Sequence, residues 1–395
     1  MLSFASFVLV GLATVLAVPT AVLFLEVLAA SFLTTPDIND EKGPRGRIAV
    51  LIPAHNESVG LIPTLDDLKS QLRPGDRLLV VADNCTDDTA AIAALSGTEV
   101  TVRNDPTRVG KGYALDWGTR YLDADPPEFL IIVDADCRIA DGAIDCLARL
   151  CTKTQRPAQA LYLMTAASGS AINHQVAEFA WRLKNWVRPL GLRAMGLPCQ
   201  LMGTGMAFPW PVIRSADLCS GFIVEDLKLG LELATAGHPP MFCPSAVVTS
   251  TFPTSLEGAK TQRHRWEQGH VGLILTKSPA LLFSSARGLN KDLFVQTLDL
   301  IVPPITLLAL LLTVMVFVAA LAMLANVPLY PLAISLVSAV LLVGATILAW
   351  FKYGRDILPP KSFALIGQYG LAKLKLYHAV LLGRRISRWI RADRR

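Results

Sequence analysis

Two tracts of the chain are apolar almost without interruption. Leu2 to Leu33 carries Glu26 as its only charge, and Ile301–Leu324 and Leu332–Phe351 are two further apolar runs. A helix that crosses a bilayer needs roughly 20 such residues, so three spans are expected. The last two form a hairpin, because the uncharged turn Ala325–Pro331 between them is too short to be a domain. Pro303-Pro304 should kink or delay the start of the second span. A cleaved signal peptide is the rival reading of the first tract, with a cut near Ala29-Ala30-Ser31. It lacks a basic leader, and the apolar run is too long.

The middle of the chain alternates short apolar runs with helix-period segments. Strands are expected at Ile48–Pro53, Leu78–Ala82, Glu99–Val102, Phe129–Val133 and Ala160–Met164. Helices are expected at about 59–72, Asp87–Leu95, Gly112–Leu122 and Asp141–Leu150. That order predicts a doubly wound α/β sheet. Ligands of such sheets bind at the carboxyl ends of the strands. The polar clusters His55-Asn56-Glu57, Asp83-Asn84 and Asp134-Ala135-Asp136 fall there. Further on, Ile172–Arg193 is helical in pattern, and Gly203-Thr204-Gly205 marks a tight turn or close backbone approach. Glu225-Asp226 opens a helix to about Ala236. In the stretch Ser255–Leu275, a helix places Gln262, Arg265 and Trp266 on one face, since positions i, i+3 and i+4 align.

Composition sharpens this picture. Of 395 residues, 52% are hydrophobic, and the excess sits in the apolar tracts, which leaves the middle enough for one sizeable domain. The formal charge is +5, yet residues 352–395 alone carry +9, so the rest is near −4. Basicity confined to a tail beside an apolar span reads as cytoplasmic anchoring at a lipid surface, and no nucleic-acid partner is expected. Lys42, Arg45 and Arg47 after the first span put the N-terminus outside and the middle domain inside. The seven cysteines lie in the middle domain, none in C-x-x-C, so reduced thiols are expected rather than a disulfide framework or zinc site.

Several clusters carry candidate chemistry, each beside a plainer reading. Asp134 and Asp136 at a strand end can turn toward one hard divalent cation, or they form a solvated turn. Asp83 can accept from a base or ribose edge in the same crevice. Arg108-Val109-Gly110-Lys111-Gly112 resembles a phosphate loop but is not a Walker motif. Lys111 ahead of a helix can face a diphosphate, or the segment is a basic turn. Glu225-Asp226 supplies a general base or caps its helix. Trp181, Trp186 and Trp210 can stack on sugars, with packing the more ordinary role. The histidines show no metal-ligand spacing.

Taken in order, Pro53-Ala-His-Asn-Glu57, Asp83-Asn-Cys-Thr-Asp87, Gly110-Lys-Gly112, Asp134-Ala-Asp136, Glu225-Asp226 and Gln262-x-x-Arg265-Trp266 resemble the membrane-embedded family 2 glycosyltransferases. That group has a GT-A nucleotide-sugar fold and includes cellulose, chitin and hyaluronan synthases and ceramide glucosyltransferases. The resemblance covers roughly residues 47–290. With the apolar tracts it gives an N-terminal span over 1–33, a polar, Pro/Gly-containing linker over 34–46 and a cytosolic GT-A domain over 47–290. An interfacial segment and helix hairpin over 291–351 and a basic amphipathic tail over 352–395 follow. It implies an inner-membrane, multi-pass enzyme with its catalytic domain and C-terminus cytosolic.

For the residues, the resemblance implies that Pro53, Asn56, Glu57 and Asp83 line the nucleoside site and that Lys111 sits near the diphosphate. Asp134 and Asp136 would hold Mg²⁺ or Mn²⁺, and Gly203, Thr204 and Gly205 would border the acceptor. Asp226 would be the base beside Glu225. Gln262, Arg265 and Trp266 would bind the diphosphate and the acceptor end. The implied reaction is an inverting transfer from a nucleotide-sugar, UDP-linked by preference, to a lipid-linked or saccharide acceptor in envelope or exopolysaccharide synthesis. The gating-loop motif of cellulose synthases is missing and the expected spans are few, which favours single transfer over a processive synthase. A non-enzymatic nucleotide-sugar-binding protein is the alternative of another class, and Asp136, Asp226 and Arg265 argue against it. A transporter is disfavoured by three spans with no intramembrane charge pair.

Overall fold

The computed structural model describes residues 4–34, 43–166, 172–219, 224–253 and 256–360. The basic tail from residue 361, Lys42 and most of the linker lie outside the described residues. In chain order the elements begin with α1 (Phe4–Phe32), β1 (Ile48–Ala54), α2 (Ile62–Lys69), β2 (Arg77–Asp83), α3 (Thr89–Leu95), β3 (Glu99–Arg103), α4 (Lys111–Leu122) and β4 (Phe129–Ile132). Next come β5 (Arg138–Ile139), α5 (Ala143–Thr154), β6 (Ala158–Thr165), α6 (Ile172–Arg182), α7 (Arg188–Ala194), β7 (Met206–Pro209), α8 (Trp210–Arg214), α9 (Glu225–Thr235) and β8 (Met241–Thr251). The chain continues through α10 (Leu256–Thr276), α11 (Ser278–Arg287), α12 (Lys291–Leu300), α13 (Ile305–Leu324) and α14 (Tyr330–Tyr353). Among the described residues two compact units separate. One gathers α1, α6, α7 and the chain from residue 270; the other holds residues 43–166 and 197–269.

The second unit is built on one eight-stranded sheet, in the order β3-β2-β1-β4-β7-β6-β8-β5. β1, β2 and β4 read as continuous apolar runs and are buried almost throughout, as parallel strands covered on both faces must be. β1 pairs in parallel with β2 and β4, and β2 with β3. Beyond β4 the expectation of a doubly wound sheet fails. β7 runs antiparallel to both β4 and β6, and β5 antiparallel to β8. The sheet is therefore mixed, because the short β7 turns back along β4 directly after Gly203-Thr204-Gly205. Leu51, Leu79, Leu115, Leu130, Ile132 and Phe208 share one core between sheet and helices. Each such side chain contributes roughly 1.5–3 kcal/mol on burial. Gly118 lets α4 lie close on the sheet, since a Cβ there would meet Leu51 Cδ1 at 2.4 Å.

Among the described residues of the first unit, three helices are long and apolar enough to cross a membrane: α1, α13 and α14. α13 starts at Ile305, directly after Pro303-Pro304. Glu26, the lone charge of the first tract, is not unpaired. It accepts from Arg188 Nε at 2.7 Å, and Arg188 Nη2 donates to the Asp299 carbonyl at 2.6 Å and to the Asp299 carboxylate. The expected absence of a charge pair at these helices is thus corrected: a buried carboxylate needs a partner, and it comes from α7, far away in sequence. Gly191 makes the approach possible, because a Cβ there would lie 1.9 Å from the Glu26 carbonyl oxygen. Residues 183–187 form a π-helical turn between α6 and α7. Within it, Trp186 packs edge-on against Tyr353 at 5.3 Å between ring centroids, the packing role. Burial and the nearby Lys184 push the His270 imidazole down to about 3, so this ring stays neutral and its Nε2 pairs with the Leu300 carbonyl at 2.8 Å.

Candidate active site

The sheet register assembles the site. Ala54 pairs with Ala82 and Asp83 with Arg103, so the segments after β1 and β2 emerge at one edge. Ile132 pairs with Met206 in the antiparallel ladder, which sets residues 203–205 beside residues 133–135. The Asp134 amide then donates to Thr204 Oγ1 at 3.0 Å. The glycines on either side are required. Gly203 has φ +90°, and Gly205 has φ +62° with a Cβ that would stand 2.7 Å from the Ala160 Cβ.

The nucleoside-side candidates occupy the β1/β2 end of this edge. Asn56 adopts a left-handed backbone (φ 55°), and its Oδ1 accepts from the Thr86 amide at 2.7 Å. Glu57 follows it, its amide bonded to Thr89 Oγ1 at 2.9 Å, and Pro53 is half-buried in β1. Asp83 is nearly buried. Its Oδ1 accepts from Arg103 Nη1 at 2.5 Å and from Asn84 Nδ2 at 3.1 Å. The basic-turn reading holds for Arg108, which is tied to Asp105 at 2.7 Å.

Lys111, the first residue of α4, reaches the other end. Its ammonium donates to the Gly203 carbonyl at 2.6 Å and to the Asp134 carboxylate. Burial opposes its charge, but Asp134 and then Glu225 outweigh that and hold its pKa above that of an ordinary lysine. The pair Glu225-Asp226 opens α9. Val224 is the N-cap residue and makes no side-chain cap bond, although Asp226 Oδ1 accepts from the Leu227 amide at 2.9 Å. A Cβ on Gly203 would lie 3.5 Å from Asp226 Oδ2 and 4.0 Å from Lys111 Nζ, so the three groups share one spot. Burial and the adjacent Asp226 push the Glu225 carboxyl up to about 7. Gln262, Arg265 and Trp266 lie on the predicted helix, now α10, with Gln262 buried and the other two half-buried. Burial lowers the Arg265 pKa, partly offset by the Glu225 carboxylate.

Asp134, Asp136 and Cys137 bring donor atoms within 4.8 Å of one another. Two carboxylates suit a hard ion such as Mg²⁺ or Mn²⁺. The soft Cys137 thiol suits such an ion poorly; without a metal, burial and then Asp134 push it up to about 12. The residues fit a divalent ion through the two aspartates.

One positioning residue escaped the sequence reading. Gln159 is fully buried in β6; its Nε2 donates to the Thr204 carbonyl at 2.9 Å, and its Oε1 accepts from the Met202 amide at 2.7 Å. A lone amide inside an apolar strand was the available signal.

A family model described as "Glycosyltransferase like family 2" matches residues 44–269, more than half of the chain. The chain belongs to the family 2 glycosyltransferases. A probable glycosyltransferase of Bacillus subtilis is 24% identical over 254 residues, 58% of this chain and 56% of that relative. The chain thus spans little more than half the length of this relative. An uncharacterized glycosyltransferase of Mycobacterium bovis is 29% identical over 189 residues, covering 42% of this chain and 82% of its own. Among solved structures, a mannosyltransferase of Pyrobaculum calidifontis in complex with GDP-Man and Mn²⁺ aligns with TM-score 0.56 and 17% identity over 95% of this chain and 100% of that one. That likeness identifies the mixed sheet and its helices as a GT-A-like α/β fold. Among the described residues, the glycosyltransferase also carries three helices of membrane-spanning length and apolarity.

Proposed function

We propose that the protein is an inverting glycosyltransferase that moves one sugar from a nucleotide-sugar, by preference a UDP-sugar, to a lipid-linked or saccharide acceptor at a membrane. The convergence of Lys111, Asp134, Gly203, Glu225 and Asp226 at one strand end carries this reading. Asp134 and Asp136 would hold Mg²⁺ or Mn²⁺, which when bound neutralises the leaving diphosphate. Asp226 takes the proton of the acceptor hydroxyl at a carboxylate oxygen. Glu225 keeps that spot acidic and partly shielded from water. Arg265 offers a guanidinium fork to phosphate oxygens, and Trp266 an indole face to the acceptor. The segments after β1 and β2, with Pro53, Asn56, Glu57 and Asp83, bind the nucleoside, and Gly203-Thr204-Gly205 borders the acceptor. Attack on one face and departure from the other invert the anomeric carbon.

Nucleotide-sugars are cytosolic, so the catalytic unit faces the cytosol with α1 entering from outside. The mannosyltransferase of like fold was solved with GDP-Man and Mn²⁺, which supports a nucleotide-sugar donor and a divalent ion. The test is nucleotide release by the purified full chain with a panel of UDP- and GDP-sugars and membrane lipid extract, with and without EDTA. Release should need a divalent ion, and the product mass should show one added sugar. Full release in EDTA, or a ladder of many sugars, contradicts the reading.

A further inference from the structure

The Lys111 ammonium stands where a metal-binding carboxylate needs to be free. Asp134 supplies one of the two hard oxygen sets at this strand end, and that carboxylate is already bonded to a cation. The ammonium is fixed on its other side by the Gly203 carbonyl at 2.6 Å, while Glu225 and Asp226 add attractive charge from α9. Its backbone opens α4, which the chain enters at Gly110 with φ 143°. The side chain itself is a flexible four-carbon stem bearing a point charge. It can leave Asp134 without disturbing the helix if another anion is offered nearby. A nucleoside diphosphate brings such an anion to the same edge.

We infer that Lys111 is a positioning residue, a cationic latch that holds Asp134 until the donor diphosphate draws the ammonium away, so that divalent-ion and donor binding are coupled. This rests on the proposed metal-dependent transfer. Before donor arrives, the latch weakens ion binding at Asp134. After donor arrives, the same ammonium adds its charge to the diphosphate. Such coupling is reciprocal and typically amounts to about 5–150-fold in affinity.

The experiment is a calorimetric Mn²⁺ titration of the full chain in detergent micelles, without nucleotide. Lys111→Gln should bind Mn²⁺ alone about tenfold tighter than wild type. Lys111→Arg keeps a cation on Asp134 and should bind Mn²⁺ no tighter than wild type, which also serves if the glutamine variant fails to fold. Unchanged Mn²⁺ affinity in Lys111→Gln, or tighter binding in Lys111→Arg, overturns the latch. Asp136→Ala separates the two readings. If it loses Mn²⁺ binding while Lys111→Gln changes nothing, only the latch falls; if it binds Mn²⁺ like wild type, the ion lies elsewhere and both fall.

Discussion

The backbone amide of Asp134 donates to Thr204 Oγ1 at 3.0 Å, across 70 residues of chain. The link makes the aspartate-bearing strand end and the Gly-Thr-Gly loop one rigid piece. Thr204 is fully buried, so no water replaces it. Thr204→Val keeps the shape and removes the acceptor, leaving the amide unpaired at a cost of about 1–3 kcal/mol. Thermal melting should show the loss, and Thr204→Ser should restore it. Equal melting of the valine variant and wild type would mean that the link is dispensable.

In the apolar-helix unit, Arg188 is the shared cation of two buried carboxylates, Glu26 and Asp299. Arg188→Met leaves both without compensation, and breaking such a buried pair costs about 3–5 kcal/mol. Melting in detergent should drop sharply, and Glu26→Gln added to Arg188→Met should recover part of the loss. If the double variant melts no higher than the single, the carboxylate is not what the arginine stabilises.

Glu225 sets a pH dependence. Its folded pKa is pushed up to about 7 by burial and Asp226, above the ordinary glutamate range. A raised acid favours the folded state at low pH, and that contribution is lost as pH rises from the ordinary carboxyl range through about 7. Stability should therefore fall over this window in wild type, and less so in Glu225→Gln. Transfer should move the other way and rise through the same window, because a proton retained by the acid pair disables the base. A flat rate profile from acid to neutral pH would contradict the assignment.

Arg265→Lys exchanges a planar fork for a point charge on the same helix face. It should lower turnover with little change in melting, and Trp266→Ala should hurt transfer more than donor binding. Wild-type turnover in both variants, measured by nucleotide release at saturating donor, would leave this face with a structural role only.

The strands that were legible are those whose burial is continuous. β1, β2 and β4 show unbroken apolar runs because both faces are covered. β8 was not legible, since Pro244 and Ser245 interrupt it where the register against β6 jumps from Cys243 to Val247. The short β7 follows Gly203-Thr204-Gly205 and reads as part of the turn. The clusters at strand ends could be read as candidate chemistry, but their ties could not. Lys111 with Asp134, Arg103 with Asp83 and Arg188 with Glu26 join residues distant in sequence. Arg45, expected as a topology signal, is buried against Asp76 at 2.6 Å and Asp145 at 2.5 Å. A local charge pattern cannot reveal that.

The central claim is that Asp226 removes the acceptor proton. Asp226→Asn keeps size and can still accept from the Leu227 amide, so the fold and the start of α9 should survive. Loss of a general base typically costs about 10²–10⁴-fold in rate. The deciding measurement is single-turnover sugar transfer by Asp226→Asn with donor and Mn²⁺ binding measured on the same sample. The account predicts a folded protein that binds both normally and transfers at least about 100-fold more slowly, with Glu225→Gln less affected. Transfer near the wild-type rate by Asp226→Asn, or a larger loss in Glu225→Gln, would contradict it.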